Sequence, residues 1–269
     1  PFYIEEIIKM LIDQRVIIPA PEAWRIEPEG LATARVPPTL MGVLQARLDS
    51  LRPVERTVLQ WAAVVGRTFW DTAVEHLSRA AEQNAAGEKP LSRLEIMEAL
   101  AGLRRKELII RRESSAFADA VEFAFKHELL RNVAYESLLR KSRRAYHGEL
   151  ASWLIQQSPE RVNEVAALVA GHFEQAGREG DAARWFGQAG QQARKGYAPA
   201  SAIEYFQKAL ALLPVSANGE AQSTRLEWLG GLADVLGAQA RFNEALEVCN
   251  QCRELAEHQG DVVMQARAL

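Results

Sequence analysis

The sequence predicts a mainly helical protein: a helix bundle interrupted by a short β-ribbon, followed by a stack of helical hairpins. Three observations predict it. Apolar residues recur at the helical period along most of the 269 residues. The period shortens to two within 108–125. A small–large–small triplet then repeats along the C-terminal part of the chain.

In chain order, Phe2, Ile4, Ile7, Ile8, Leu11 and Ile12 form one helical stripe, with Glu5, Glu6, Lys9 and Asp13 on other faces. Arg15 to Ile18 reads as a strand stopped by Pro19 and Pro21, with Trp24-Arg25-Ile26 as its hairpin partner. Pro28, Gly30 and Pro37-Pro38 make a linker. Thr39 caps a helix carrying Leu40, Val43, Leu44, Leu48 and Leu51. Pro53 opens the next helix and Gly66 closes it. Asp71 caps a third, and Leu91 to Arg105 is a fourth. Leu108 to Arg112 and Val121 to Phe125 then alternate as two strands of a hairpin. Compact helices followed by a two-stranded ribbon are the pattern of a winged helix. Helices resume at Leu129 to Leu139, Tyr146 to Leu154 and Val165 to Phe173, the last closed by Gly177.

The triplet is Ala182-Phe186-Ala189, then Ala202-Phe206-Ala209 with Pro214 beyond it, then Ala245-Cys249-Cys252. Small, large, small at i, i+4 and i+7 with a trailing proline is the second-helix pattern of a tetratricopeptide (TPR) unit. The expected hairpins pair 143–158 with 160–176, 179–195 with 198–213, and 220–238 with 241–258. Asp261 would cap a further helix. Such hairpins cannot bury their apolar faces alone and must stack. The fold class is therefore a winged-helix domain with a small β-hairpin followed by a TPR-like α-solenoid. The expected division is 1–35, 36–142 and 143–269.

Composition excludes several function classes. A net charge of −3 argues neither for a dedicated nucleic-acid binder nor for a membrane-surface protein, so any basic patch must be local. Two cysteines rule out a disulfide framework and point to a reducing, cytoplasmic setting. No apolar run is long enough to span a bilayer, and no signal segment opens the chain. The chain starts at Pro1 rather than Met and stops within a helical pattern, which reads as a piece of a longer protein.

No phosphate loop, H-E-x-x-H or G-x-S-x-G motif occurs, so no catalytic residue is assigned and no enzyme activity is expected of this piece. Cys249-x-x-Cys252 lacks the second ligand pair that zinc needs, and both cysteines stand on triplet positions; no metal site is expected. His127 stands between the second ribbon strand and the next helix, where a cation is disfavoured by the helix N-terminus. It reads either as a junction hydrogen bond or as a sensor. The window 103–144 carries a net charge of +5. Its Arg104, Arg105, Arg111, Arg112, Arg143 and Arg144 are a candidate phosphate, DNA or interdomain patch. The fourth helix is poor in base-reading Asn, Gln and Ser, which favours a solvated face.

Several stretches resemble one family. Pro1-Phe2-Tyr3-Ile4-Glu5-Glu6 is similar to the end of a G-N-P-F-[FY]-I-E-E stretch. Val36-Pro37-Pro38-Thr39-Leu40 through Arg47-Leu48-Asp49-Ser50-Leu51 resembles a P-x-T-L…R-L-D-x-L helix, and Ala62 to Trp70 an A-A-V-[IV]-G-x-x-F-W segment. Phe125-Lys126-His127-Glu128-Leu129 through Leu139 resembles F-K-H-x-L-x-x-x-V-A-Y-E-S-L-L, followed by an R-R-x-Y-H match at Arg143 to His147. Together these resemble the C-terminal region of STAND-class signalling ATPases, closest to bacterial ones fused to class III adenylate/guanylate cyclase domains.

The resemblance implies a regulatory arm. Pro1 would match the proline that packs near adenine, and His127 the winged-helix histidine that senses the phosphates of bound ADP. The motif's methionine and aspartate positions are Lys126 and Glu128 here. The Walker loops would lie upstream, so ATP or ADP is implied for the parent and no cofactor for this piece. The implied partners are the upstream ATPase module and a protein or small-molecule cue on the concave TPR face. The rival expectations are a DNA-binding winged-helix regulator and a plain TPR scaffold.

Overall fold

Twelve helices and five short strands make up the described part of the chain. The computed structural model describes residues 2–20, 23–28, 30, 36–84, 90–157, 163–213 and 220–259. Pro1, Pro214 and Asp261 lie outside them. The protein is mainly helical and divides into two units, Pro1–Tyr146 and His147–Leu269. No helix among the described residues is long and apolar enough to cross a membrane.

The first unit begins with α1 (Phe2–Asp13) and a hairpin of β1 (Ile17–Ile18) and β2 (Arg25–Ile26). Met10, Leu11 and Val16 bury against Val43 of α2 (Leu40–Asp49), so residues 1–35 supply α1 to the same unit as the helices that follow. Thr39 caps α2 by accepting from the Gly42 amide at 3.1 Å. Pro53 opens α3 (Pro53–Val65), the central helix, whose Val58, Leu59, Ala62 and Val64 are fully buried. Next come β3 (Thr68–Trp70), α4 (Asp71–Asn84), α5 (Arg93–Arg105), β4 (Ile109–Arg111), β5 (Glu122–Phe125) and α6 (Glu128–Glu136).

The sheet differs from the expected ribbon. It has three strands in the order β3-β5-β4, all antiparallel, with Phe69 opposite Phe123 and Ile109 opposite Phe125. Thr68-Phe69-Trp70, to which the sequence assigns no strand, pairs with β5 as an edge strand. Because β5 is central, all four of its residues are buried, Glu122 included. The Glu122 carboxylate accepts from Trp70 Nε1 at 3.1 Å and the Ala116 amide at 3.0 Å, and pairs with Arg112 at 3.0 Å. Asp71 Oδ1 accepts from both the Thr72 and Val121 amides at 2.8 Å, fixing the start of α4 to the strand entrance. The helix expected to run to Leu139 ends at Glu136, and Leu139 is exposed.

α7 (Arg140–Gln157) leads into the second unit, which contains α8 (Ala166–Ala176), α9 (Glu179–Lys195), α10 (Pro199–Leu212), α11 (Glu220–Ala238) and α12 (Phe242–Gln259). Neighbouring helices pack in sequence, and α9 also meets α11. Ala182, Phe186, Ala189, Ala202, Phe206 and Ala209 are all buried. Phe206 is wedged between helices: an added Cβ would approach its ring to 2.7 Å at Gly190 and 2.8 Å at Gly231. The large triplet position therefore fills space that two glycines leave. Ala245 and Cys249 are only half-buried, although Cys252 is buried, so the third triplet is less covered than the first two. The triplet occurs on the consecutive helices α9 and α10, so it marks more than the second helix of each hairpin.

The turns repeat more strictly than the triplets. Gly177, Tyr197 and Ala240 each stand five residues before the first small residue of a triplet, and each is left-handed, with φ of 75, 56 and 57°. After each, an amide reaches back six residues counting both ends: Arg178 to Phe173, Ala198 to Ala193, Arg241 to Leu236. This is the glycine-favouring helix C-terminal motif. Ala240→Gly is expected to stabilise the protein by about 0.5–1 kcal/mol, because glycine takes this conformation without the Cβ clash. Urea unfolding checks it; an unchanged or lowered midpoint contradicts it.

Candidate functional site

A network of charges gathers where α1, α2, the end of α5 and the β5–α6 junction meet. Its centre is Arg47, only 2% exposed. The Arg47 guanidinium forms an ion pair with Glu6, itself buried, another with Asp13 at 3.2 Å, and donates to the Lys106 carbonyl at 2.8 Å. One side chain therefore ties α2 to the second turn and the last residue of α1 and to the C-terminus of α5. A guanidinium suits this task because its five donors are spread in one plane.

Two further layers surround it. Lys106 reaches the Glu55 carboxylate at 2.8 Å, and the same carboxylate accepts from Arg52 at 3.0 Å. Burial acts to raise the Glu55 pKa, but the bonds from Arg52 and Lys106 together outweigh it and hold the carboxyl below its ordinary value. On the other side Lys9 pairs with Glu5, with Glu6 at 3.5 Å and with Glu107 at 3.3 Å, while Lys126 pairs with Glu107 at 2.6 Å. Burial of Lys9 works against its charge, and the hydrogen bonds to Glu5 and Glu107 reverse that, so its pKa is raised. A cleft of about 360 Å³ opens beside these groups, lined by Lys9, Asp13, Trp24, Arg47, Arg105 and Lys106 among others.

His127 sits at the edge of this network. It is the N-cap of α6 with extended backbone, yet its side chain makes no capping bond. Its ring meets the first turns of α1 instead: one atom each from Glu5, Glu6 and His127 lie within 4.8 Å of one another. Burial pushes the His127 pKa down; Glu6 opposes this, and Lys9 and Lys126 reinforce it. The ring is therefore neutral at pH 7, with one nitrogen to donate and one to accept. These three side chains have the composition of a metal ligand set. Lys9 and Arg47 already neutralise both carboxylates, so the arrangement is an ion-pair network.

The basic residues are scattered over distinct tasks. Arg112 is held by Glu122, and Arg143 and Arg131 each lie 4.8 Å from the centroid of the Tyr135 ring. Arg104, Arg105, Arg111 and Arg144 are exposed. The exposed positions of α5 carry Arg93, Leu94, Glu95, Met97, Glu98, Ala101, Arg104 and Arg105, a mixture of apolar groups and both charges. The residues that sequence reasoning missed are Glu6, Arg47, Glu55 and Lys106. One had a legible signal: Arg47 stands in the apolar stripe of Val43, Leu44 and Leu48, whereas Glu6 stands on a face the sequence reads as polar. A charge at a core position implies a buried partner.

Comparison with protein-family models, curated proteins and solved structures returned no match to this chain.

Removing Arg47 leaves buried Glu6 with only the longer Lys9 contact at 3.5 Å, so Arg47→Ala is expected to destabilise the first unit by about 3 kcal/mol. The double change Arg47→Met with Glu6→Leu is expected to lose less than Arg47→Ala alone. Denaturant unfolding of the three proteins decides it, and a double variant no better than Arg47→Ala contradicts the pairing. Glu55 gives a pH dependence. Its depressed pKa contributes stability that is fully present above its ordinary value of 4.5 and is lost as pH falls through the lower, folded value. Glu55→Gln should flatten the acid limb of a stability–pH curve; an unaltered limb contradicts the assignment.

Proposed function

We propose that this chain is the sensor arm of a multidomain signalling ATPase, with a winged helix in its first unit and TPR-like hairpins in its second. The winged helix gates the nucleotide state of an ATPase module on the same chain, and the hairpins bind a protein or small-molecule cue. The observation that carries this reading is the placement of His127. A histidine at a helix N-terminus whose side chain leaves the cap and lies against the first turns of α1 supports a role in reading the position of α1.

The chemistry limits what His127 does. Two carboxylates stand beside it, balanced by Lys9 and Arg47, so this corner is not a phosphate cradle by itself. The phosphate charge is met by the phosphate loop of the upstream module, and His127 adds one neutral hydrogen bond in the closed, ADP-bound state. Loss of that bond opens the gate. A cue shifts the equilibrium only through unequal affinity for the open and closed states. The exposed arginines serve the interdomain contact.

In the full-length parent, His127→Ala is expected to speed ADP dissociation by about tenfold, the weight of one hydrogen bond of roughly 1.4 kcal/mol. Stopped-flow release of a fluorescent ADP analogue measures it. An unchanged rate contradicts the sensor role, and tight salt-dependent duplex binding by this chain would replace the reading with a DNA-binding one.

A further inference from the structure

We propose that the cleft lined by α1, the β1–β2 hairpin and the end of α5 is a binding site for a small aromatic carboxylate. The site lies within the first unit and does not depend on the role given to His127.

Shape and lining come first. At about 360 Å³ the cleft falls in the size range of small-ligand sites, about 300–1,000 Å³. Ile8 and Ile12 stand one turn apart on α1, both half-buried, and supply apolar lining. Trp24, the residue before β2, lines the same cleft, and it is 56% exposed. An indole offers a large flat apolar surface, and tryptophan is the residue type in which binding energy concentrates.

Charge then selects the ligand. Seven charged residues line the cleft, and six of them are already answered. Lys9 pairs with Glu5 and Glu107, Arg47 with Asp13, and Lys106 with Glu55. The seventh is Arg105, which is exposed and enters no ion pair among the described residues. Of the exposed arginines Arg104, Arg105, Arg111 and Arg144, it is Arg105 that lines this cleft. One uncompensated positive charge therefore stands with an open indole and an apolar lining. The complement is a flat apolar body with a single negative charge. A carboxylate suits a guanidinium, because the two match in a pair of parallel hydrogen bonds. A dianion such as a phosphate monoester fits worse. Its second charge would meet Glu5, Asp13 and Glu107 with no further unpaired cation among the described lining residues.

Methyl NMR titration of the 269-residue chain with three probes of one ring system tests this. The probes are indole-3-acetate, the neutral indole-3-acetamide and the cation tryptamine. The Ile8 and Ile12 methyl signals should shift and saturate with indole-3-acetate at a Kd below about 1 mM. The amide should bind about fivefold weaker or worse, and tryptamine weaker still. Arg105→Ala should weaken indole-3-acetate about tenfold and leave the amide unchanged, whereas Trp24→Ala should weaken both. Trp24→Phe should keep most of the binding, since a flat ring remains. Both side chains are exposed, so the melting temperatures of these variants should match that of the unchanged chain, which separates lost binding from a lost fold. Equal binding of the three probes, tightest binding of tryptamine, indifference to Arg105→Ala, or no saturable shift at Ile8 and Ile12 overturns the assignment.

Discussion

A buried arginine is a demanding thing to build into a fold. Moving its charge out of water is costly, and the cost is met only if partners complete every direction the guanidinium points. Arg47 has three: Glu6, Asp13 and the Lys106 carbonyl. They come from α1 and from the end of α5, so the positions of three helices are set together or not at all. Asp13 shows the strain in the arrangement. Burial raises its pKa, and the nearby Arg47 only partly offsets that. Asp13 thus favours its protonated form on folding, while Glu55, with two cations on it, favours the charged one.

The consequence reaches His127 through shared partners. Glu6 meets Arg47 on one side and lies beside His127 on the other, and Lys9 joins Glu6 to Glu107, which in turn holds Lys126 next to His127. A shift of α1 would therefore change the charges around the imidazole. That gives the proposed gate a physical form: two arrangements of one ion-pair network, with unequal affinity for nucleotide. The second unit uses different means. Its helices are joined by repeated turns and packed by small residues and aromatic wedges, with few buried charges.

What the sequence disclosed was local. Thr39, Pro53, Gly66 and Gly177 act on neighbours within a turn, and each starts or ends a helix where its chemistry requires. The triplets of α9 and α10 were legible because small residues must face a close neighbour. What stayed hidden was non-local. β3 is three residues long and is a strand only because β5, some fifty residues on, pairs with it. Glu122 alternates as an outward residue would, yet it is buried because Trp70 and Ala116 bring donors to it. The Glu6–Arg47 pair spans 41 residues; Arg47 was a charge inside an apolar stripe, whereas Glu6, expected on a polar face of α1, is buried. His127 was legible as a boundary residue, and its contact with α1 was not. His147 and His172 escaped notice in the same way: they stand in apolar stripes, and their Nδ1 atoms meet at 2.8 Å between α7 and α8.

Native-state hydrogen exchange of α1 is the most direct measurement of the claim that Arg47 binds α1 into the first unit. If it does, the amides around Met10 and Leu11 exchange only with the global opening that releases the core of α3, with the same dependence on denaturant. Exchange of α1 by an independent opening of much lower free energy, while α3 stays protected, would contradict the account.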